Sequence, residues 1–77
     1  MANSVQYLNR ILSDTFVLYT KTLNFHWNVQ GPLFPQLHEF FGDQYEALSE
    51  DVDTLAERIR ALKAVPPASL KEFLDHT

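Results

Sequence analysis

The sequence predicts an all-α protein with two long antiparallel helices, a helical hairpin, and a short C-terminal helix. Apart from Gly42, the prolines and glycines lie in two segments, residues 31–35 and Pro66-Pro67. The long stretches on either side of the first segment carry apolar residues at steps of three and four, which is the spacing of one helix face. We find little of the alternation that is typical of a strand. At 1.5 Å per residue, each long helix would span about 35–45 Å.

The first helix is expected from about Ser4, its predicted N-cap, to Val29. The second is expected from about Pro35, because proline suits a first helical turn, to Ala64. A short third helix is expected over Ala68 to His76, with Ser69 near its start. The predicted buried face of the first helix comprises Leu8, Ile11, Leu12, Thr15, Tyr19, Thr22 and His26. That of the second comprises Leu37, Phe41, Leu48, Val52, Leu55, Ile59 and Leu62.

The chain length indicates that this hairpin needs a partner. Its 77 residues suffice for one domain at most, so we expect residues 1–77 to form a single helical hairpin domain. A core of this size is marginally stable, and the absence of cysteine excludes disulfides and thiolate zinc sites. Two long amphipathic helices cannot bury all their apolar surface against each other. We therefore expect half of a four-helix bundle, whose other two helices come from another copy of the chain, by oligomerisation, or from chain that is not present.

The charge balance disfavours nucleic acid as a partner. Six Lys and Arg oppose ten Asp and Glu, giving a net charge of −4, and no basic block occurs. Binding to phosphates depends on such basic groups. No run of 18 apolar residues predicts a membrane span, and the first ten residues lack a signal-peptide pattern. We expect a soluble, cytoplasmic protein.

Ionisable side chains on or beside the apolar faces predict a metal site. His26 lies on the first helix and His38 on the second. Asp53 and Glu57 are four residues apart, so both carboxylates project from one face of the second helix. Two imidazoles and two carboxylates, without thiols, suit a divalent metal such as iron, manganese or zinc.

Helix geometry predicts that such a site is shared between two copies of the chain. The turn between the long helices could bring His26 and His38 together. His38 and Asp53 are fifteen residues apart on one helix, which is about 22 Å along its axis. If two copies of this helix pack antiparallel, with a two-fold axis near residues 45–47, His38 of one copy faces Asp53 and Glu57 of the other. The symmetry then produces two identical sites.

Simpler interpretations of the same residues remain open. A histidine near a helix end often serves as a hydrogen-bonding or capping group rather than as a ligand. The pair Asp53 and Glu57 could belong to a solvated face, with Glu57 paired to Arg58 or Arg60. An indole such as that of Trp27 more often fills a core or an interface than takes part in redox chemistry.

Two motifs in this chain resemble a known family. They are the stretch Asn24-Phe25-His26-Trp27-Asn28-Val29-Gln30-Gly31-Pro32, followed by Phe34, Leu37-His38-Glu39 and Tyr45, and the stretch Asp53-Thr54-Leu55-Ala56-Glu57-Arg58. In type and mutual spacing they resemble the first half of the Dps family, the ferritin-like mini-ferritins of starved or stressed bacteria. The resemblance extends from about Leu8 to Thr77.

The resemblance implies a four-helix subunit that assembles into a hollow dodecamer around a two-fold dimer. It implies oxidation of Fe(II), preferentially with hydrogen peroxide, for iron storage and protection from oxidative stress. The metal-binding and catalytic positions would be His26, His38, Asp53 and Glu57, and the indole of Trp27 would be a one-electron donor. Iron would be the metal, with zinc or another divalent ion as an alternative occupant.

Three departures from the family pattern leave a second interpretation open. Gly42 stands where many members carry a carboxylate, and Asp43 points about 100° away from that direction. Met1 to Asn9 contain no Lys or Arg, so the basic tail that binds DNA in some members is missing. The chain is also about half as long as a family subunit. The alternative is a truncated, non-enzymatic hairpin that dimerises and binds metal without turnover.

Overall fold

The computed structural model describes residues 2–77, with side chains described from Ser4 onward. Over this range the elements are α1 (Ala2–Asn28), α2 (Phe34–Ala61) and α3 (Leu70–His76), with no strand. α1 and α2 form an antiparallel hairpin, and α3 packs against α1. The all-α prediction and its three helices are confirmed.

The turn between α1 and α2 depends on one glycine. Gly31 has φ of +99°, a conformation that side chains with a Cβ rarely adopt. Its carbonyl accepts the backbone N–H of Phe34 at 3.1 Å, and the Leu33 carbonyl accepts that of Leu37 at 3.0 Å. Pro35 lies in the first turn of α2, as predicted. These contacts start α2 directly alongside the end of α1.

The helix boundaries correct two predictions. α1 begins at Ala2, so Ser4 lies inside the helix and is not its N-cap. α2 ends at Ala61 rather than at Ala64, because Lys63 adopts a left-handed conformation with φ of +63°. The Lys63 N–H donates to the Arg60 carbonyl at 2.9 Å and the Ala64 N–H to the Ile59 carbonyl at 3.3 Å. This pair of bonds is a Schellman motif, which terminates the helix before Pro66-Pro67.

The core lies at the end of the hairpin away from the α1–α2 turn. Its buried apolar side chains are Leu12, Ile59 and Phe73, one from each helix. The ring of Phe73 stacks on that of Phe16, with centroids 4.3 Å apart, and this contact attaches α3 to α1. Partly buried apolar residues surround the core, namely Leu8, Phe16, Val52, Leu55, Ala56 and Ala64.

Much of the apolar surface remains exposed in one chain. Ile11 and Leu62 were predicted to be buried, but they are 48% and 41% exposed. A groove between α1 and α2 is lined by Leu18, Thr22, Gln44, Ala47 and Leu48. Over residues 2–77, none of the helices has the length and apolar character needed to cross a membrane. A single hairpin therefore buries only part of its apolar faces.

Candidate metal centre

His26 and His38 lie side by side at the turn end of the hairpin. His26 is in the last turn of α1, and His38 is five residues into α2. Their rings stack, with centroids 3.8 Å apart and planes inclined by 20°. The expectation that the turn would bring the two histidines together is therefore confirmed.

Each histidine is held by the backbone of the other. His26 Nδ1–H donates to the His38 carbonyl at 2.7 Å, and His38 Nδ1–H donates to the His26 carbonyl at 2.8 Å. A carbonyl oxygen can only accept, so both rings carry their proton on Nδ1. In a neutral ring of this tautomer, Nε2 keeps its lone pair for a metal.

The interpretation of these histidines as hydrogen-bonding or capping groups agrees with the structure. The carbonyl of His26 is among the last four of α1, which have no partner within the helix, and the His38 side chain satisfies it. This role uses Nδ1 alone. The same hydrogen bonds fix both rings in the manner of metal-ligating histidines, which donate their second nitrogen to a carbonyl or carboxylate.

Two aromatic rings flank the histidine pair. The ring of Phe34 stacks on that of His38, with centroids 5.0 Å apart, and the ring of Tyr45 lies 5.1 Å from that of His26. Sequence reasoning assigned no role in the site to either aromatic residue. The contact between Phe34 and His38 could have been predicted from their spacing of four residues, because residues four apart are neighbours on a helix.

Gly42 on α2 lies close to the His26 ring. A Cβ atom at this position would lie 3.1 Å from Cε1 and 3.4 Å from Nδ1 of the His26 ring. The former distance is shorter than ordinary van der Waals contact. The sequence identified Gly42 only as a missing carboxylate and gave no sign of this close approach.

The predicted carboxylates lie elsewhere on the same chain. Asp53 and Glu57 are exposed on α2, fifteen and nineteen residues after His38. Helix geometry separates Asp53 from His38 by about 22 Å along the axis. Among the side chains that the structure describes, no three His, Asp or Glu residues converge on one point.

The residues next to these positions are also exposed. Trp27 follows His26 on α1 and is 68% exposed. Arg60, suggested as a partner of Glu57, donates instead to the Ala64 carbonyl at 3.3 Å. The carboxylate pair and the histidine pair therefore lie apart from each other, at different heights of the hairpin.

The chain is similar to known proteins over nearly its whole length. A model of the ferritin-like domain matches residues 5–77. A DNA protection during starvation protein from Brevibacillus brevis is 47% identical over 68 residues, covering 88% of this chain and 46% of the relative.

Solved structures of similar proteins have the same fold. Dps from Staphylococcus aureus superposes with a TM-score of 0.92 at 42% identity, covering 99% of this chain and 51% of that one. A Dps protein from Vibrio cholerae superposes with a TM-score of 0.91 at 37% identity, over 96% of this chain and 47% of that one. The latter is described as a member of a broad superfamily of ferritin-like diiron-carboxylate proteins.

This chain spans about half the length of the relatives that it matches. The agreement nevertheless covers both long helices and the turn that joins His26 to His38. The identity is around 40% in both the relatives and the structures, and the fold is the same. The chain therefore belongs to the ferritin-like family, and it is similar to Dps proteins over about half of their length.

Proposed function

We propose that the chain binds Fe(II) and oxidises it with hydrogen peroxide at a site shared by two copies. The observation that carries this proposal is the reciprocal hydrogen bonding of His26 and His38, which fixes both rings and leaves both Nε2 atoms able to bind metal. The iron chemistry is supported by the description of a similar protein as diiron-carboxylate. Such a reaction would serve iron storage and protection from oxidative stress.

The donor set fits iron as the substrate. Imidazole nitrogens bind Fe(II) well, and carboxylates accommodate the harder Fe(III) that forms. His26 and His38 would supply the nitrogen ligands, and Asp53 and Glu57 of a second copy would supply the oxygen ligands. Zinc binds to the same donors but has no redox chemistry. We therefore expect Zn²⁺ to act as a competitor rather than as a cofactor.

A two-fold arrangement completes the site. An antiparallel pair of α2 helices, crossing near residues 45–47, places His38 of each copy at the height of Asp53 in the other. The groove lined by Leu18, Ala47 and Leu48 lies near this crossing and supplies apolar surface for the contact. Whether further copies assemble into a dodecamer is a separate proposal, drawn from the family alone.

The reaction needs two electrons for each peroxide. Two Fe(II) ions each give one electron, and hydrogen peroxide with two protons becomes two water molecules. The reaction therefore avoids the hydroxyl radical that one-electron reduction of peroxide would release. The role of the four ligands is to hold iron where peroxide can reach it. We propose exposed Trp27 as a reserve one-electron donor beside the site.

DNA is the less favoured partner in this proposal. Some relatives are named for DNA protection during starvation. With ten acidic and six basic residues, this chain repels phosphates, so we propose protection through removal of iron and peroxide. A gel-shift experiment at low salt tests this, and a shift abolished by added salt would contradict it.

Subunit complementation tests the shared site directly. His38→Ala and Asp53→Ala should each abolish rapid Fe(II) oxidation by peroxide. When the two variants are mixed after dissociation and reassociation, each heterodimer regains one intact site of its two. About a quarter of the wild-type activity should then return, because about half of the dimers formed at random are heterodimers.

A same-side pair of variants is the matched control. A mixture of His26→Ala with His38→Ala cannot regenerate an intact site, so its activity should stay at the level of the single variants. Recovery in both mixtures, or in neither, would contradict the shared site. Unchanged oxidation in the single variants would contradict the assignment of these residues.

The second candidate is a dimer that binds metal without turnover. Gly42 favours it, because the missing carboxylate leaves fewer ligands for a second iron. Stoichiometric Fe(II) binding by the wild-type protein, without oxidation after peroxide is added, would support this candidate over the ferroxidase.

A further inference from the structure

We propose that Phe34 is a positioning residue, whose ring holds the imidazole of His38 in the plane in which its Nε2 atom can bind metal. The proposal deepens the iron-site proposal above and rests on it. It assigns a role to an aromatic side chain at the start of α2 that contributes no ligand of its own. The ring acts through His38, as a support for that ligand.

His38 is enclosed between two rings. The His26 ring stacks on it with centroids 3.8 Å apart and planes inclined by 20°. The Phe34 ring stacks on it with centroids 5.0 Å apart and planes inclined by 24°. An imidazole has room for one stacked neighbour on each face, so Phe34 covers the face that His26 leaves open. Together the two rings define the plane of the His38 imidazole.

The hydrogen bond of His38 does not define this plane by itself. Its Nδ1–H donates to the His26 carbonyl at 2.8 Å, which fixes the position of one ring nitrogen. The ring can still turn about that bond, because the torsion that sets the plane of a histidine ring has broad minima. Such a rotation would change the direction of the lone pair on Nε2. The stack with Phe34 restricts this rotation, so it complements the hydrogen bond.

Phe34 is itself held in place by the turn. It is the first residue of α2, and its backbone N–H donates to the Gly31 carbonyl at 3.1 Å. Pro35 follows and restricts the backbone conformation of the residue before it. Phe34 and His38 are four residues apart, so their side chains are neighbours on one face of the helix. With 41% of its surface exposed, Phe34 lies outside the core, which is at the other end of the hairpin.

Metal binding should strengthen this stack. A metal ion on Nε2 withdraws electron density from the imidazole, and an electron-poor ring is attracted more strongly to the face of an aromatic ring. Phe34 therefore favours the metal-bound state of His38 over the free state, in addition to orienting the ring. An aromatic pair of this kind corresponds to about a threefold to tenfold change in a binding constant.

The test compares Phe34→Leu with Phe34→Tyr and Phe40→Leu. Leucine keeps an apolar side chain at residue 34 and is a better helix former than phenylalanine, so this variant should fold. Tyrosine keeps the aromatic face. Phe40 is the matched control, because it is an exposed phenylalanine on α2 whose ring contacts that of Phe41, with centroids 5.5 Å apart. Co²⁺ affinity of the full chain is measured from visible absorption.

We expect Co²⁺ affinity to fall about threefold to tenfold in Phe34→Leu and to stay near the wild-type value in the other two variants. In NMR spectra of the metal-free protein, the carbon-bound ring protons of His38 should move downfield in Phe34→Leu, because they lose the shielding of the stacked ring. Long-range ¹H–¹⁵N NMR should still show His38 protonated on Nδ1, since its hydrogen bond to the His26 carbonyl remains.

Wild-type affinity in Phe34→Leu would overturn the proposal, and so would an equal loss in Phe34→Tyr or Phe40→Leu. A changed His38 tautomer in Phe34→Leu would show a general disturbance of the turn and would also overturn it. Neither measurement depends on iron oxidation. A wild-type protein that binds Co²⁺ but does not oxidise Fe(II) would therefore contradict the proposed function, while the role of Phe34 would still be decided by these variants.

Discussion

Ile59 and Ser13 are both fully buried, but they contribute to stability in different ways. Ile59 is packed in the core with Leu12 and Phe73, so its side chain is surrounded by apolar atoms. The Ser13 hydroxyl donates to the Asn9 carbonyl at 2.7 Å, one turn back along α1. That carbonyl lies inside the helix and can also accept a backbone N–H. The hydroxyl therefore supplies a second, dispensable bond.

We predict a large loss of stability for alanine at residue 59 and a small change at residue 13. Ile59→Ala should lower the free energy of unfolding by about 2–5 kcal/mol, because it leaves a cavity in a small core. Ser13→Ala should change it by less than about 1 kcal/mol, because the lost bond is offset by better helix propensity. Urea denaturation followed by circular dichroism, at one protein concentration, measures both. Equal losses in the two variants would contradict this account.

At the candidate metal centre, the proximity of the two histidines was predictable from the sequence, but their hydrogen bonds were not. The turn predicted between two helices of known period is enough to place His26 beside His38. The Nδ1 bonds depend on where each carbonyl lies in the neighbouring helix, and the contact at Gly42 depends on the distance between the two backbones. Neither quantity is encoded in residue spacing, because side-chain periodicity defines a face and not an interhelical distance.

At the scale of elements, the helices were predicted better than their ends. α2 stops three residues early because Lys63 adopts the left-handed conformation usually taken by glycine, which no local sequence preference indicates. α3 begins at Leu70, two residues after the predicted Ala68, because Ser69 is its N-cap, and the Ser69 Oγ accepts the Glu72 N–H at 3.2 Å. Capping by serine follows from its short side chain, whereas a left-handed lysine requires support from the surrounding packing.

We predict that α3 depends on this cap. With seven residues, α3 is too short to be stable alone and is held by the Phe73–Phe16 stack and the cap. Ser69→Ala should destabilise α3 locally by about 1 kcal/mol. Hydrogen exchange of the α3 amides should become faster, while exchange in α1 and α2 stays unchanged. The control is Ser49→Ala, at an exposed position inside α2. Faster exchange of the α3 amides in this control as well would contradict a specific capping role of Ser69.

At the scale of the whole molecule, the hairpin is incomplete as a folded unit. Large apolar side chains remain exposed along it, and the groove between α1 and α2 is open on one side. Exposed apolar surface of this kind is typical of an interface. The proposed two-fold axis near residues 45–47 passes beside Ala47, which lines the groove. The same contact would both bury the groove and bring the histidine pair of one copy to the carboxylate pair of the other.

We therefore predict that Ala47→Glu abolishes self-association and, with it, metal binding. Near a two-fold axis the substitution introduces two like charges into a desolvated contact, which costs several kcal/mol. Ser49→Glu adds the same charge about 200° around α2, on the opposite face, and should leave the association unchanged. Sedimentation velocity measures the mass, and Co²⁺ titration measures the sites. An Ala47→Glu protein of wild-type mass would place the interface elsewhere. A monomer that still bound Co²⁺ as tightly as the wild type would show that His26 and His38 need no second copy.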